Sequence, residues 1–281
     1  MTQPRDTPFG ILIAANNEEG YIGPCLDALL AQDAGAGRLT VVVAANACTD
    51  RTEEIVEGYI PRFAARDWDL ICLHLGRTGK LGALAAGEAP LDGLARAYLD
   101  ADVICDPALI GQVRAALAPA APLYATGTLA VAPARSAVTR AYAAFWQSLP
   151  FVQGGAVGAG FFAMNPAGRA LWEDWPQIIS DDTFARLQFR PEQRIEVPAR
   201  YHWPMIEGWA GLVRVRRRQD AGVREIRALY PGLTAHDDTP SPGLAGIARR
   251  ALRHPAGFAV YVSVALAVRA RRADTGWTRG R

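Results

Sequence analysis

Lysine, histidine and cysteine are scarce in this 281-residue sequence, and their scarcity excludes several kinds of site. Lys80 is the only lysine, so arginine carries nearly all of the positive charge. The four cysteines lie far apart and form no Cys-x-x-Cys pair, which excludes the usual zinc spacings. Isolated cysteines of this kind favour small buried side chains in a reducing compartment, and we therefore expect a cytoplasmic protein.

Long apolar runs and a strong excess of one charge are also absent. No run of 18 or more apolar residues occurs, so no transmembrane helix is predicted. The first six residues contain no apolar signal-peptide core. The formal net charge of +2 gives no polyelectrolyte signal for a nucleic-acid partner. A content of 50% hydrophobic and 21% charged residues is typical of a globular chain with a sizeable core.

Apolar runs of strand length alternate with helical patterns along the chain. The predicted strands cover residues 9–15, 39–45, 70–74, 95–99, 123–127, 161–164 and 195–199. A basic helix is expected over 212–224. This alternation, with short connections, predicts an α/β fold with a doubly wound sheet flanked by helices. Ligands of such sheets bind at the carboxyl ends of the strands.

Two aspartates one residue apart follow the predicted strand at 95–99. Side chains at i and i+2 of an extended chain point to the same side, so Asp100 and Asp102 can converge on one point. Converging carboxylates repel each other unless a cation lies between them, and Mg²⁺ or Mn²⁺ takes such oxygen ligands together with substrate phosphates. The alternative is a solvated turn, but a position at the carboxyl end of a strand favours a metal site.

Polar residues also follow the other predicted strands. Asn16 and Asn46 come just past the ends of the first and second strands, so we expect both at the same sheet edge as Asp100. Asn16 or Asn17 is predicted to cap the first helix. Lys80 lies near a helix start, where phosphate binding is favourable, and a solvated loop lysine is equally consistent with that position.

Taken in order, these segments resemble the family 2 glycosyltransferases, which have the GT-A fold. The resemblance extends from residue 9 to about residue 224, most of the chain. No single segment is specific, but six in order at plausible spacing are. The matching segments are 11–19 (opening strand and Asn-Glu-Glu turn), 41–52 (second strand and Cys-Thr-Asp turn), 79–84 (Gly-Lys helix start), 100–102 (Asp-x-Asp), 181–182 (Asp-Asp for the family's Glu-Asp) and 214–219 (arginine motif).

The resemblance implies a GT-A mixed sheet and an inverting transfer of a sugar from a nucleoside diphosphate sugar to an acceptor hydroxyl. It makes Asp182 the general base, with Asp181 beside it. It also implies a divalent cation, Mn²⁺ or Mg²⁺, on Asp102 and Asp100, with a late histidine as a third ligand, which is His202 or alternatively His236. The residues that it implies in donor binding are Ala14, Asn16, Glu18, Asn46, Lys80, Asp100, Ala101, Arg217 and Arg218.

Several of these residues keep a structural alternative. The pair 181–182 can cap a helix instead of acting in catalysis. Arg217 or Arg218 either clamps the diphosphate or belongs to a basic face that meets solvent or anionic lipid. His202 is otherwise a structural histidine. Four tryptophans form either a sugar-stacking floor or part of the core: Trp146, Trp172, Trp175 and Trp203.

The sequence departs from the family's pattern in its second turn, where many members carry an aspartate that reads uracil and ribose. Ala44, Ala45 and Asn46 occupy this turn, so guanine or another base is as consistent as uracil. Two rival functions are a nucleotidyltransferase-like enzyme and a non-catalytic nucleotide-sugar binding protein. The acidic first loop at 16–20 counts against the former, since it supplies no phosphate clamp. The retained aspartate pairs count against the latter.

The pattern changes near residue 240. We predict a GT-A glycosyltransferase domain over 1–240 and a basic amphipathic helical tail over 241–281. The apolar run at 256–268 is shorter than the ~20 residues needed to span a bilayer. The tail is expected either to lie on the inner face of the plasma membrane, or to pack on the domain or in a homodimer interface. A glycan, a lipid-linked molecule and a small molecule are all open as acceptors.

Overall fold

The computed structural model describes residues 7–270, and eight strands in that part of the chain form one mixed sheet. The order across the sheet is β3-β2-β1-β4-β7-β6-β8-β5. The predicted α/β class, with a mixed sheet of the GT-A type flanked by helices, is confirmed. The strands are β1 Phe9–Ala15, β2 Leu39–Asn46, β3 Asp69–Leu75, β4 Arg96–Asp100, β5 Ile104–Cys105, β6 Tyr124–Val131, β7 Phe161–Met164 and β8 Arg194–Trp203.

Helices cover the sheet and follow most of its strands. They are α1 Ile22–Leu30, α2 Thr52–Ala64, α3 Gly79–Glu88, α4 Leu109–Ala116, α5 Ala137–Trp146, α6 Pro166–Arg169, α7 Asp181–Leu187, α8 Gly208–Leu229, α9 Gly243–Arg253 and α10 Pro255–Ala270. No helix within residues 7–270 is long and apolar enough to cross a membrane.

The strands β1 and β2 are buried on both faces, which explains their continuous apolar runs. They pair in parallel, with Ile11 opposite Val41 and Leu12 opposite Val42. Ile11 and Val41 belong to the larger core layer, whereas Leu12 and Val42 belong to the layer on the opposite face. Two helical layers therefore cover this half of the sheet, as a doubly wound fold requires.

The strand direction in the sheet reverses between β4 and β7. The strands β2 and β4 flank β1 and run parallel to it, and β7 then pairs antiparallel with β4. A crevice forms at the carboxyl ends of strands where the strand order reverses. Asn16, Asn46 and Asp100 all lie at that edge, because each ends or follows one of the three parallel strands.

The second half of the sheet is less regular than the sequence predicts. The strand β8 is longer than the predicted segment 195–199, and its pairing with β6 shifts register at Gly127 and Thr128. The two-residue strand β5, which the sequence did not indicate, pairs with the end of β8. The basic helix α8 is also longer than predicted, and it extends beyond 212–224 at both ends.

Part of the predicted tail packs on the rest of the chain through α10. This helix packs on α5 and α8, and Gly257 comes so near α5 that an added Cβ would lie 2.3 Å from the Ala141 carbonyl oxygen. Arg217 Nη2 on α8 also donates to the Ala267 carbonyl, at 2.8 Å. The part of the predicted tail at 271–281 lies outside the described residues.

Candidate active site

A cavity of about 200 Å³, here called the central cavity, opens at the carboxyl ends of β1, β2 and β4. The structure brings to it most of the residues predicted from the sequence. These are Ala14, Asn16, Glu18, Asn46, Lys80, Asp100, Ala101, Asp102, Asp181, Asp182 and Arg218. They come from both halves of the chain, so one cavity unites motifs that lie up to two hundred residues apart.

The Asp-x-Asp turn is held by the backbone of β4 and of its neighbour. The Asp100 amide donates to the Gly160 carbonyl at 2.9 Å, and the Val103 amide donates to the Asp100 carbonyl at 3.1 Å. Ala101 is buried within the turn, and Asp100 and Asp102 on either side of it line the cavity. The tight turn therefore places both aspartates at the same cavity.

Lys80 joins the Asp-x-Asp turn to the second aspartate pair. Its Nζ lies 3.1 Å from Asp100 Oδ1 and 2.9 Å from Asp181 Oδ2. Burial lowers the pKa of Lys80, but the Asp100 and Asp181 carboxylates outweigh this effect and hold the pKa above its ordinary value. The lysine is therefore protonated, and it partly neutralises a cavity wall that would otherwise be strongly acidic.

Asp182 has a pKa well above the ordinary value of an aspartate. Burial raises its pKa, the negative charge of Asp181 raises it further, and Lys80 opposes both, so the pKa is about 6. One of its oxygens accepts a hydrogen bond from the Thr183 amide at 2.7 Å, in the first turn of α7. A carboxylate with this pKa is ionised at pH 7 yet binds a proton more readily than an ordinary aspartate.

The asparagines at the ends of β1 and β2 hold two loops together. Asn16 Nδ2 donates to the Asn46 carbonyl at 2.6 Å, and Asn17 Oδ1 accepts from the Thr49 amide at 2.7 Å. The predicted helix cap at Asn16 or Asn17 is wrong, because Tyr21 stands at the start of α1 and gives no side-chain cap. The asparagines bind the neighbouring loop instead of their own helix.

A second cavity, the Asn46 cavity, adjoins the central one and has a volume of about 370 Å³. It shares Asn16, Asn46, Lys80 and Arg218 with the central cavity. Asn46 Oδ1 accepts hydrogen bonds from the Thr78 amide at 2.8 Å and the Thr78 hydroxyl at 3.1 Å. The orientation of the Asn46 amide is thus fixed by Thr78, a residue that the sequence analysis did not select.

A third cavity, the Trp146 cavity, lies on the Asp182 side and has a volume of about 600 Å³. Asp182, Ser180 and Gln219 line both it and the central cavity. Trp146 and Phe151 supply part of its apolar wall, and four arginines line it together with acidic and further apolar residues. Asp182 therefore stands where the central cavity meets a second space large enough for a sugar-sized molecule.

Two of the predicted site residues point elsewhere. Arg217 directs its guanidinium to the carbonyl of Ala267 on α10, and it is Arg218 that lines the central and Asn46 cavities. His202 Nε2 lies 2.9 Å from Asp106 Oδ1 and does not line the central cavity. The next residue on β8, Trp203, lines it instead, because successive side chains of a strand point to opposite faces.

The carboxylates of the central cavity fit a divalent cation that binds together with a substrate. Within residues 7–270, no three His, Cys, Asp or Glu side chains form a ready-made metal cage. Mg²⁺ and similar ions are commonly held by one or two carboxylates and complete their coordination with water and substrate phosphates. Asp100 and Asp102, which line one cavity from a single turn, meet that requirement.

The sequence matches the family model described as glycosyl transferase family 2 over residues 10–154, just over half of the chain. The chain belongs to glycosyl transferase family 2. The matched region of this glycosyltransferase runs from β1 through α5 and includes the Asp-x-Asp turn. Asp182 and Arg218 lie beyond it.

Solved structures with a similar fold include glycosyltransferases of low sequence identity. The mannosyltransferase PcManGT from Pyrobaculum calidifontis superposes with a TM-score of 0.58 at 18% identity, over 96% of this chain and 77% of that one. TarS from S. aureus, residues 1–349, superposes with a TM-score of 0.53 at 13% identity, over 93% of this chain and 82% of that one. No protein among the curated sequences matches this glycosyltransferase. At these identities the structural likeness establishes the shared fold.

Proposed function

We propose that this family 2 glycosyltransferase is an inverting enzyme that uses Asp182 as its general base. It moves a sugar from a nucleoside diphosphate sugar to an acceptor hydroxyl. The observation that carries the proposal is the position of Asp182, whose pKa is about 6, between the central cavity and the Trp146 cavity. The carboxylates of Asp100 and Asp102 share the central cavity with it.

The donor is assigned to the Asn46 cavity and the adjoining part of the central cavity. Their common wall contains Asn46, Lys80 and Arg218, which together offer an amide for a base or ribose and two cations for phosphate oxygens. The Pyrobaculum enzyme was solved with GDP-Man and Mn²⁺, and TarS with UDP-GlcNAc. Both are nucleoside diphosphate sugars, which supports that class of donor here, and their bases differ.

A divalent cation, Mn²⁺ or Mg²⁺, belongs at Asp100 and Asp102 in this proposal. When bound, it supplies charge neutralisation for the leaving diphosphate. Arg218 adds a guanidinium to the same cavity. Lys80 holds Asp100 and Asp181 in place through its two short contacts and thereby keeps the acidic wall ordered before the donor arrives.

The acceptor is assigned to the Trp146 cavity. A hydroxyl that enters from that side meets Asp182 before it meets the donor sugar, so Asp182 can take the proton as the acceptor oxygen attacks the anomeric carbon. Attack from the side opposite the leaving diphosphate inverts the anomeric centre. Trp146 and Phe151 provide apolar surface against which a sugar ring or an apolar acceptor can pack.

Thermal-shift screening of the full chain against UDP-, GDP-, dTDP- and CDP-sugars with Mn²⁺ tests the donor assignment. We expect one nucleotide to raise the melting temperature by several degrees, since about 100 Kd of ligand adds ~2.7 kcal/mol of stability. Asp102→Ala should abolish the increase, and Asp174→Ala, at an exposed aspartate outside the cavities, should not. Equal shifts in wild type and Asp102→Ala would contradict the assignment.

Several finer features inferred from the sequence remain predictions. These are the identity of the acceptor as a glycan, a lipid-linked molecule or a small molecule, the assembly of a homodimer, the cytoplasmic location and the domain boundary near residue 240. Under the rival hypothesis of a non-catalytic nucleotide-sugar binding protein, a donor-dependent thermal shift occurs without release of nucleoside diphosphate. A nucleotidyltransferase-like enzyme would instead release pyrophosphate.

A further inference from the structure

The helix α9 exposes both of its leucine side chains to solvent. Leu244 is 88% exposed and Leu252 is 85% exposed, and no residue of this helix is buried. Residues four apart on a helix share a face, so Leu244, Ala248 and Leu252 form one apolar strip. All three are exposed, and we call this strip the leucine face.

The opposite side of α9 is the side that contacts the domain. Arg250 Nε donates to the Ser148 carbonyl at 2.6 Å, and Ile247 is half-buried. At 100° per residue, Arg250 lies opposite the leucine face, and the half-buried Ile247 lies at its border beside Leu244. The contacts with the domain therefore fix α9 in an orientation that exposes the leucine face. This exposure is unfavourable in water, because burial of the leucine side chains would remove apolar surface from solvent.

The charged residues of α9 all have one sign. Arg249 and Arg253 are exposed on the flank beyond Leu252, and residues 239–270 contain no aspartate or glutamate. A leucine strip bordered by arginines is typical of helices that lie in the interface of a bilayer, where the apolar face sinks about 5–10 Å and the guanidinium groups reach the lipid phosphates. Long arginine side chains can extend from a helix at the acyl boundary to the lipid phosphates.

We propose that α9 is a membrane-contacting helix that lies flat on an anionic bilayer. Leu244, Ala248 and Leu252 enter the acyl boundary, and Arg249 and Arg253 bind headgroup phosphates. A second copy of the chain fits this surface less well, because pairing two leucine faces would bring the uncompensated arginines of both copies together. The inference goes beyond glycosyl transfer and does not depend on it.

Co-sedimentation of the full chain with lipid vesicles tests the proposal. We expect binding to phosphatidylcholine vesicles that contain about 30% phosphatidylglycerol, and at least tenfold weaker partitioning onto pure phosphatidylcholine, since each surface arginine contributes ~1 kcal/mol on an anionic membrane. The partition coefficient should also fall when salt rises from about 0.1 M to 1 M, because the Debye length shrinks from ~10 Å to ~3 Å. Equal partitioning onto both vesicle types would overturn the proposal.

Matched leucine variants separate the leucine face from general surface hydrophobicity. Leu244→Glu combined with Leu252→Glu should lower the partition coefficient at least tenfold, whereas Leu229→Glu, at a 58% exposed leucine of α8, should leave it within about twofold. Unchanged vesicle binding in the double variant would contradict the proposal. So would a concentration-dependent dimer by light scattering that the same double variant dissociates, because the leucine face would then be covered by a second copy.

Discussion

The two sides of the central cavity are built in different ways. On one side, three neighbouring parallel strands deliver Asn16, Asn46 and Asp100 to one edge, and the register fixes their spacing, with Ala14 opposite both Ala44 and Asp100. On the other side, Asp182 comes from the short helix α7, which follows a long loop after α6. The first side is set by backbone pairing and the second by the packing of helices.

This difference assigns separate tasks to the two sides. The strand side, which lies within the family match, carries Asn46, Asp100 and Asp102, which are proposed to hold the nucleotide and the cation. The helix side carries the proposed base and faces the larger cavity, and its Arg218 adds a contact to the donor phosphates. Substitutions on the strand side should therefore weaken donor binding, and substitution of Asp182 should slow turnover with little change in donor binding.

The largest expected effect is that of Asp182→Asn. Loss of the general base should lower kcat by about 10²–10⁴-fold, because the amide cannot accept the acceptor proton. Donor affinity, measured by calorimetry, should stay within about twofold of wild type. A large loss of kcat without a loss of donor affinity would show that Asp182 acts in turnover and not in donor binding. Asp174→Asn serves as the matched control, since this exposed aspartate lies outside the cavities. A kcat of Asp182→Asn near that of wild type would contradict the assignment of Asp182 as the general base.

The second-largest expected effect is a change in the donor KM on substitution of one of two adjacent arginines of α8. Arg218→Ala should raise the KM for the donor by about tenfold, because it removes a charge-assisted contact to phosphate. Arg217→Ala should leave this KM within about twofold and lower the stability by about 1 kcal/mol, because its guanidinium bonds the Ala267 carbonyl. Steady-state kinetics and urea unfolding measure the two quantities. The reverse pattern would mean that Arg217 turns to the substrate in solution.

Lys80→Met should move the acid limb of the pH–rate profile. In wild type, kcat should fall as the pH decreases through about 6, because protonated Asp182 cannot accept a proton. The lysine charge lowers the pKa of Asp182, so its removal favours the protonated form and should shift the acid limb to higher pH. Profiles at saturating donor measure the shift. A limb that stays in place or moves to lower pH would show that Lys80 does not act on the base.

The smallest expected effect is that of Mn²⁺ alone. With two cavity carboxylates and no three-ligand cage in residues 7–270, the ion should raise the melting temperature by less than about 1 °C without nucleotide. With the nucleoside diphosphate present, it should add several degrees, because the phosphates complete its coordination. Calorimetric scans with each component alone and together check this. A large shift with Mn²⁺ alone would indicate a protein site beyond the two aspartates.

The strand side of the site could be predicted from the sequence almost completely. The apolar runs of β1, β2 and β4 are local signals, and the residue that follows a buried strand in such a sheet must lie at its ligand-binding edge. Asn16, Asn46 and Asp100 were predicted on this basis, and the structure places them there.

The helix side could be predicted only in part. Arg217 and Arg218 are chemically identical in sequence, and only the rotation of α8 decides that Arg218 faces the cavity. His202 and Trp203 differ in the same way, by the face of β8 on which each lies. The predicted asparagine cap failed because Asn17 bonds Thr49, a partner 32 residues away that no local pattern reveals.

The anomeric configuration of the first sugar released from an α-linked donor tests the proposed mechanism most directly. Proton NMR of the full chain with the donor found by thermal shift, recorded before mutarotation, should show the β anomer when water replaces the acceptor, and Asp182→Asn should release far less of it. This is the result of a single attack from the Asp182 side of the cavity. Release of the α anomer, or equal β release by Asp182→Asn, would contradict an inverting transfer with Asp182 as its base.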